Sequence, residues 1–187
     1  MMKVYFDLET LSLNPYSTDA KIILAQVKYG IESKLLKEWE IGEENLIVEL
    51  IGIFSRFPKY TPVFTYNGGF DFSYLMGRIN QMDLSREFKE EIHDVFIRNI
   101  KHCDLLQFDN GYFVPFWKIC KLYNMPLTSE FDGKMMGKLY EDKNWDKILE
   151  HGLEDIEALD RVVSNTNIAD RYLKTEILTW KQRKERR

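Results

Sequence analysis

Three short segments of the sequence carry acidic residues whose spacing suits the binding of divalent cations. In the first, Asp7 and Glu9 lie two positions apart in the run Val4–Thr10, which is typical of a β-strand. Side chains of a strand alternate between its faces, so both carboxylates point the same way, with Cα atoms about 7 Å apart. Both side chains can then reach one cation. For this segment alone, a strand end with acids facing water is an equally good interpretation.

The second segment, residues 65–72, combines turn residues with an acid. Gly68 and Gly69 allow a sharp turn between a strand and a helix, and Asp71 falls in the first turn of that helix. The helix dipole favours an acid at this position, so a simple helix-terminal role is one interpretation. The paired glycines favour another, because they allow the close backbone approach that a substrate groove would use.

The third segment places His151 and Asp155 four positions apart in a helical pattern, and therefore on one helix face. Asp155 borders an apolar stripe made up of Ile156, Leu159, Val162 and Val163. An acid beside the core needs partners, and a metal ion would supply them. A histidine here would by itself be an ordinary surface or partly buried residue. Next to Asp155, a catalytic role is the better interpretation.

Together, these segments resemble the three motifs of the DEDD superfamily of 3′–5′ exonucleases, which have a ribonuclease H-like fold. Residues 6–10 resemble the first motif, residues 67–71 the second and residues 151–155 the third, and their order and spacing match across most of the chain. Residues 102–105 and 132–148 are also similar to stand-alone exonucleases related to the proofreading domain of family B DNA polymerases.

The resemblance implies two divalent ions, Mg²⁺ or Mn²⁺, held by Asp7, Glu9, Asp71 and Asp155. In that arrangement Asp7 bridges the two ions. Glu9 and Asp155 complete the first site, and Asp71 supports the second, largely through water. His151 would position or deprotonate the attacking water.

The third motif departs from the family pattern in one respect. The proofreading-related branch has a tyrosine followed by three residues and the aspartate, whereas the histidine subtype has four residues between histidine and aspartate. His151 has the tyrosine's spacing from Asp155, and Ile156 rather than an acid follows. Either His151 takes the tyrosine's place, or another residue orients the water.

The function that the resemblance implies is hydrolysis of single-stranded DNA from a free 3′ end, with release of 5′-mononucleotides. Substrate contacts are implied for Thr10, Leu11, Asn67 and Phe70. The alternatives are a 3′–5′ exoribonuclease, since nothing in the sequence indicates a reader of the 2′-hydroxyl, and a non-catalytic domain that binds nucleic acid or a polymerase. A polymerase or another replication or repair protein is an implied partner.

The order of the predicted elements supports an α/β fold. Strands are predicted over residues 3–9, 22–28, 35–39, 61–66 and 100–108. Helices are predicted over residues 43–57, 70–79 and 84–96 and over most of the chain beyond Pro115. Three antiparallel strands followed by alternating helices and strands indicate a ribonuclease H-like mixed sheet flanked by helices.

Structural roles are predicted for the remaining acids and histidines, which are Asp104, Asp109, Asp132, His93 and His102. A turn is predicted at residues 109–111. The aromatic pairs at residues 112–113 and 116–117 are predicted to lie mostly in the core. A base-stacking surface is the alternative for these pairs.

Composition excludes several classes of protein. The 187 residues, 44% hydrophobic, predict one domain over residues 1–180 and a basic tail over residues 181–187, which is either solvated or in contact with phosphate. The net charge of −4 argues against binding nucleic acid through bulk electrostatics. Two cysteines are too few for a disulfide framework. With no long apolar segment, the sequence predicts an intracellular, cytoplasmic protein that is neither secreted nor inserted in a membrane.

Overall fold

The computed structural model describes residues 2–106, 108–109, 112–125, 127, 133–170 and 172 of the chain. The main strands are β1 (Val4–Thr10), β2 (Ile22–Tyr29), β3 (Glu32–Lys37), β4 (Thr61–Thr65) and β5 (Ile100–Asp104). They form one sheet in the order β3-β2-β1-β4-β5. The first three strands pair antiparallel, and β4 and β5 continue the sheet parallel to β1. This mixed sheet agrees with the predicted α/β class and is consistent with a ribonuclease H-like fold.

Seven α-helices are present in the described residues and cover both faces of the sheet. They are α1 (Glu38–Ile41), α2 (Glu43–Ser55), α3 (Gly68–Gln81), α4 (Arg86–Asn99), α5 (Phe116–Leu122), α6 (Met136–Glu141) and α7 (Trp145–Asn165), with a 3₁₀ turn at Gly133–Met135. Helices α2, α3 and α4 pack on one face, and α5, α6 and α7 on the other. None of the described helices has the length and apolar composition needed to cross a membrane.

Strand β1 lies in the middle of the sheet and separates two kinds of side chain. Phe6 and Leu8 are buried in the core beneath α2 and α3. Tyr5 packs on the opposite face, against Ile156 and Leu159 of α7. Since side chains alternate along a strand, the acids at positions 7 and 9 share the face of Tyr5 and are directed towards α7.

Strand β3 ends earlier than its sequence pattern predicts. The predicted strand reaches residue 39, but β3 ends at Lys37 and one helical turn follows. The Gly42 N–H closes that turn by donating to the Glu38 carbonyl at 2.7 Å. In this conformation Trp39 stacks on Trp145 of α7, with ring centroids 4.7 Å apart. Tertiary packing of the indole therefore outweighs the local preference for a strand.

Strand β5 also ends early, at Asp104 rather than at residue 108. The Asp104 carboxylate accepts hydrogen bonds from the backbone N–H groups of Asn67 and Leu106, at 2.9 and 3.0 Å. These bonds turn the chain out of the sheet and give Asp104 a structural role. Two short antiparallel strands follow, which are β6 (Phe108–Asp109) and β7 (Tyr112–Phe113).

Three predictions concern residues outside the described part of the chain. They are the turn at residues 110–111, the structural role of Asp132 and the basic tail over residues 181–187.

Candidate metal centre

Three side chains from β1 and α7 bring possible metal-binding atoms together. Nε2 of His151 lies 3.6 Å from Oε1 of Glu9 and 3.6 Å from Oδ2 of Asp155. One ligand atom from each residue lies within 4.8 Å of the others. Glu9 and His151 are buried, and the buried Oδ1 of Asp155 has no hydrogen-bond partner within the described part of the chain. Two of the predicted metal ligands are thus adjacent to the predicted catalytic histidine.

Asp7 lies beside this group and is held by a residue that the sequence analysis missed. Gln26 is opposite Asp7 in β2 and is fully buried. With its nitrogen facing Asp7, the Gln26 amide donates to Oδ2 at 2.8 Å and to the backbone carbonyl at 3.0 Å. The sequence does contain a signal for this residue, because Gln26 is the one polar side chain among the first six residues of β2. Recognising its role requires the register between β1 and β2.

Gly152 allows α7 to approach this pair of strands closely. A Cβ atom at this position would lie 1.8 Å from the Gln26 amide and 2.8 Å from the side chain of Leu24. Any other residue would therefore displace the Gln26 amide and the Leu24 side chain or push the helix away from β2. Because His151 and Asp155 are on the same helix, the glycine sets their distance from the acids of β1.

Asp71 enters the cluster from the other side of β1. Strands β1 and β4 pair only at Val4 and Tyr5, so the N–H of Leu8 has no partner in the β1–β4 ladder. Oδ1 of Asp71, in the first turn of α3, accepts a hydrogen bond from that N–H at 3.0 Å. The predicted position of Asp71 at a helix start is confirmed, and the residue is buried, with 4% of its surface exposed.

The turn before α3 depends on Gly68. A Cβ atom there would lie 2.1 Å from Oγ1 of Thr65 and 2.6 Å from Nε2 of His102, two atoms that are themselves 2.8 Å apart. The preceding residue, Asn67, has a positive φ of 62°. This close approach explains why the turn needs a glycine at position 68.

Burial raises the pKa values of all four carboxyl groups. Those of Asp7 and Glu9 rise well above their usual range, and that of Asp71 rises to about 7. The Asp71, Glu9 and Asp155 carboxylates further raise the pKa of Asp7. Burial also raises the pKa of Asp155, whereas the adjacent His151 lowers it. The four acids therefore form one electrostatic cluster, which cations would allow to ionise together.

A cavity of about 1230 Å³ opens from this cluster. We define two parts of its lining. The acidic part consists of Asp7, Glu9, His151 and Asp155. The aromatic part consists of Tyr66, Phe113, Phe116 and Trp117. Lys121 and Lys134 contribute basic groups to the same cavity. An anionic ligand could therefore contact aromatic rings and basic groups while it reaches the acids.

The prediction that the aromatic pairs lie mostly in the core is wrong for three of their four residues. Tyr112, Phe113 and Trp117 are 78%, 49% and 51% exposed. The reason is that α5 packs on α7 through Ile119 and Cys120, which leaves its Trp117 side uncovered. Among the described strands, β7 pairs with β6 in a separate two-stranded sheet, away from the main sheet.

The four predicted substrate-binding residues have different environments. Asn67 lines the cavity. Thr10 donates a hydrogen bond to the Ser12 carbonyl at 3.0 Å. Leu11 packs in the apolar cluster under α6, and Phe70 packs on the core and contacts the Tyr74 ring. Within the described part of the chain, Asn67 is thus the member of this set that borders the cavity.

Comparison with solved structures shows a similar fold in part of a larger enzyme. The structure of the family B DNA polymerase from the hyperthermophilic archaeon Pyrobaculum calidifontis matches with a TM-score of 0.61 and 12% sequence identity. The match covers 88% of this chain and 24% of the polymerase chain. At this identity the similarity concerns the fold alone. No protein-family model and no curated protein sequence matches the chain.

Proposed function

We propose that this protein is a metal-dependent 3′–5′ exonuclease that hydrolyses phosphodiester bonds of single-stranded DNA. The observation that carries the proposal is the convergence of four acids from three distant segments of the chain. Asp7, Glu9 and Asp155 line one cavity, and the buried Asp71 lies close enough to raise the pKa values of Asp7 and Glu9. Burial raises the pKa values of all four acids. The charges of Asp71 and Asp155 further raise those of Asp7 and Glu9. The motif resemblance and the fold shared with part of a family B DNA polymerase support the same assignment.

The donor set fits divalent cations. Carboxylate oxygens are the ligands that Mg²⁺ and Mn²⁺ take in proteins. The buried Oδ1 of Asp155, which accepts no hydrogen bond from the described residues, could serve as such a ligand. Glu9 and Asp155 would hold one ion, Asp71 would support a second and Asp7 would contact both. When bound, two such ions supply Lewis-acid stabilisation of the charge that develops in phosphodiester hydrolysis.

The chain itself fixes two of these acids before any ligand binds. The Gln26 amide orients Asp7, and the Leu8 N–H orients Asp71. Pre-orientation of charged groups is a main source of rate enhancement, because no reorganisation is needed during the reaction. His151 is adjacent to Glu9 and Asp155, where an imidazole could orient or deprotonate the attacking water.

The aromatic part of the cavity suits a single strand of nucleic acid. Phe113 and Trp117 expose about half of their surface, and unpaired bases stack on such rings whatever their sequence. Lys121 lines the same cavity and is placed to contact a backbone phosphate. In a duplex the base faces are already stacked on one another, so this surface favours unpaired strands.

The test is digestion of 5′-labelled and 3′-labelled single-stranded DNA with Mg²⁺, with Mn²⁺ and with EDTA. The proposal predicts a ladder that shortens from the 3′ end of the 5′-labelled strand and immediate release of labelled mononucleotide from the 3′-labelled strand. EDTA should stop both reactions. Internal cleavage, shortening from the 5′ end or no cleavage with either ion would contradict the proposal.

Matched RNA strands in the same assay test the exoribonuclease alternative. Faster shortening of RNA than of DNA would replace the proposed substrate while keeping the chemistry. Binding of single strands without cleavage would favour a non-catalytic domain instead.

A further inference from the structure

The group formed by Glu9, His151 and Asp155 has the composition of a mixed nitrogen and oxygen metal site. We propose that His151 is itself a metal ligand and that this site selects a divalent transition ion, such as Mn²⁺, over Mg²⁺. The inference rests on the proposed function, which gives the ion its role in catalysis. What it adds is which side chains bind that ion. It replaces the water-activating role predicted for His151 with direct coordination.

The distances in the group favour a shared ion over direct hydrogen bonds. Nε2 of His151 is 3.6 Å from an oxygen of Glu9 and from an oxygen of Asp155, which is too long for a hydrogen bond. Two atoms bound to one ion at about 2.1 Å each lie about 3.0–3.5 Å apart, for bond angles from octahedral to tetrahedral. Small side-chain movements would bring all three atoms onto one ion.

The packing of α7 holds the donors in this arrangement. His151 and Asp155 are one helical turn apart and share a face. The His151 and Glu9 side chains are only 9% and 8% exposed, so neither can readily turn away into solvent. Gly152 allows the helix to lie close to the Gln26 and Leu24 side chains of β2. A second indication is the buried Oδ1 of Asp155, which has no hydrogen-bond partner among the described residues.

The chemistry of imidazole determines which ion this site prefers. Mg²⁺ favours oxygen ligands and keeps much of its water, whereas imidazole nitrogen suits transition ions. Mn²⁺ accepts carboxylate oxygen as readily as Mg²⁺ does and tolerates nitrogen as well. A site with one nitrogen and two carboxylates should therefore bind Mn²⁺ more tightly than Mg²⁺.

Activity cannot distinguish a ligand from a water-activating base, because loss of either role lowers turnover. The test is pulsed electron paramagnetic resonance of Mn²⁺ bound to the wild-type protein, prepared once with natural-abundance histidine and once with ¹⁵N-labelled histidine. Direct ligation predicts a histidine nitrogen coupling that changes with the isotope. A Mn²⁺ spectrum without histidine coupling would overturn the inference, and this result needs no substituted protein.

Two variants assign the coupling to a position. In His151→Gln the nitrogen coupling should disappear and the Kd for Mn²⁺ should rise by about tenfold or more, since even indirect ligand supports are worth about 10–100-fold. The Kd for Mg²⁺ should change by less than about threefold, because oxygen donors remain. The matched control His93→Gln alters an exposed histidine on α4 and should change neither. Coupling or Mn²⁺ affinity that survives in folded His151→Gln would overturn the assignment.

The results separate this inference from the nuclease proposal. Histidine coupling in a protein that cuts neither DNA nor RNA would support the metal site and contradict the proposed activity. Exonuclease activity of a protein whose bound Mn²⁺ shows no histidine coupling would support the nuclease proposal and contradict ligation by His151.

Discussion

The acidic and aromatic parts of the cavity are built in different ways. The acidic part comes from the central strand β1 and the 21-residue helix α7, and most of its donor groups are buried. The aromatic part draws on Tyr66, two-residue strand β7 and seven-residue helix α5, and its Phe113 and Trp117 rings are half exposed. Groups that need fixed positions lie on elements fixed by burial. Groups that only need to offer a contact surface lie on the more exposed elements. Changes to the acidic part should therefore affect kcat, and changes to the aromatic part should affect KM.

The largest effect is predicted for Asp7→Ala. Loss of the residue proposed to contact both ions should lower kcat by about 10³-fold or more. Stability in EDTA should stay the same or rise, because one of several repelling carboxylates is removed. Digestion kinetics and thermal unfolding in EDTA measure the two effects. Turnover like that of the wild type would contradict the two-metal assignment.

The buried acids around β1 should make the stability of the protein depend on pH. Burial raises the pKa of Asp71 to about 7, above its value in the unfolded chain, so the folded protein takes up protons first as the pH falls. Unfolding free energy in EDTA should therefore increase as the pH falls from about 7 to about 4, by on the order of 2–4 kcal/mol.

Urea unfolding at several pH values in EDTA measures this dependence. Asp71→Asn should make the profile less steep, whereas Trp117→Ala should leave its shape unchanged. Saturating Mn²⁺ should favour the ionised carboxylates and reverse the trend. A profile that falls towards acid in EDTA would show that the cluster does not carry raised pKa values.

A third prediction separates the two functions of Asp71. Asp71→Asn and Asp71→Ala both remove the charge and should both lower turnover. Only the asparagine keeps an oxygen that can accept from the buried Leu8 N–H. Asp71→Ala should therefore be less stable than Asp71→Asn by about 1–3 kcal/mol. Equal stability in urea would mean that the hydrogen bond contributes nothing.

The smallest effect is predicted for the aromatic part. Trp117→Ala should raise KM for single-stranded DNA by about 5- to 50-fold, the equivalent of one lost stacking contact, with little change in kcat. The control is Tyr60→Ala, because Tyr60 is 67% exposed and lies outside the cavity lining. A loss confined to kcat in the Trp117 variant would contradict the division between the two parts.

The acidic part was largely predictable from the sequence, and the aromatic part was not. The period of two in β1 gives the shared face of Asp7 and Glu9, and helical spacing gives the pairing of His151 with Asp155. Gln26 was missed because its role depends on the register of β1 with β2. Trp117 was assigned to the core because an aromatic pattern in a short element does not reveal which side its neighbours cover.

The short pairing between β1 and β4, which covers only Val4 and Tyr5 of β1, also gives the molecule an intrinsic spectroscopic reporter. The Leu8 amide hydrogen is bonded to Asp71 rather than to a neighbouring strand. Its nuclear magnetic resonance frequency should respond when that carboxylate loses its proton or gains an ion. Because Leu8 is itself buried and lies between Asp7 and Glu9, one assigned backbone peak can follow the state of the cluster without any label attached to the protein.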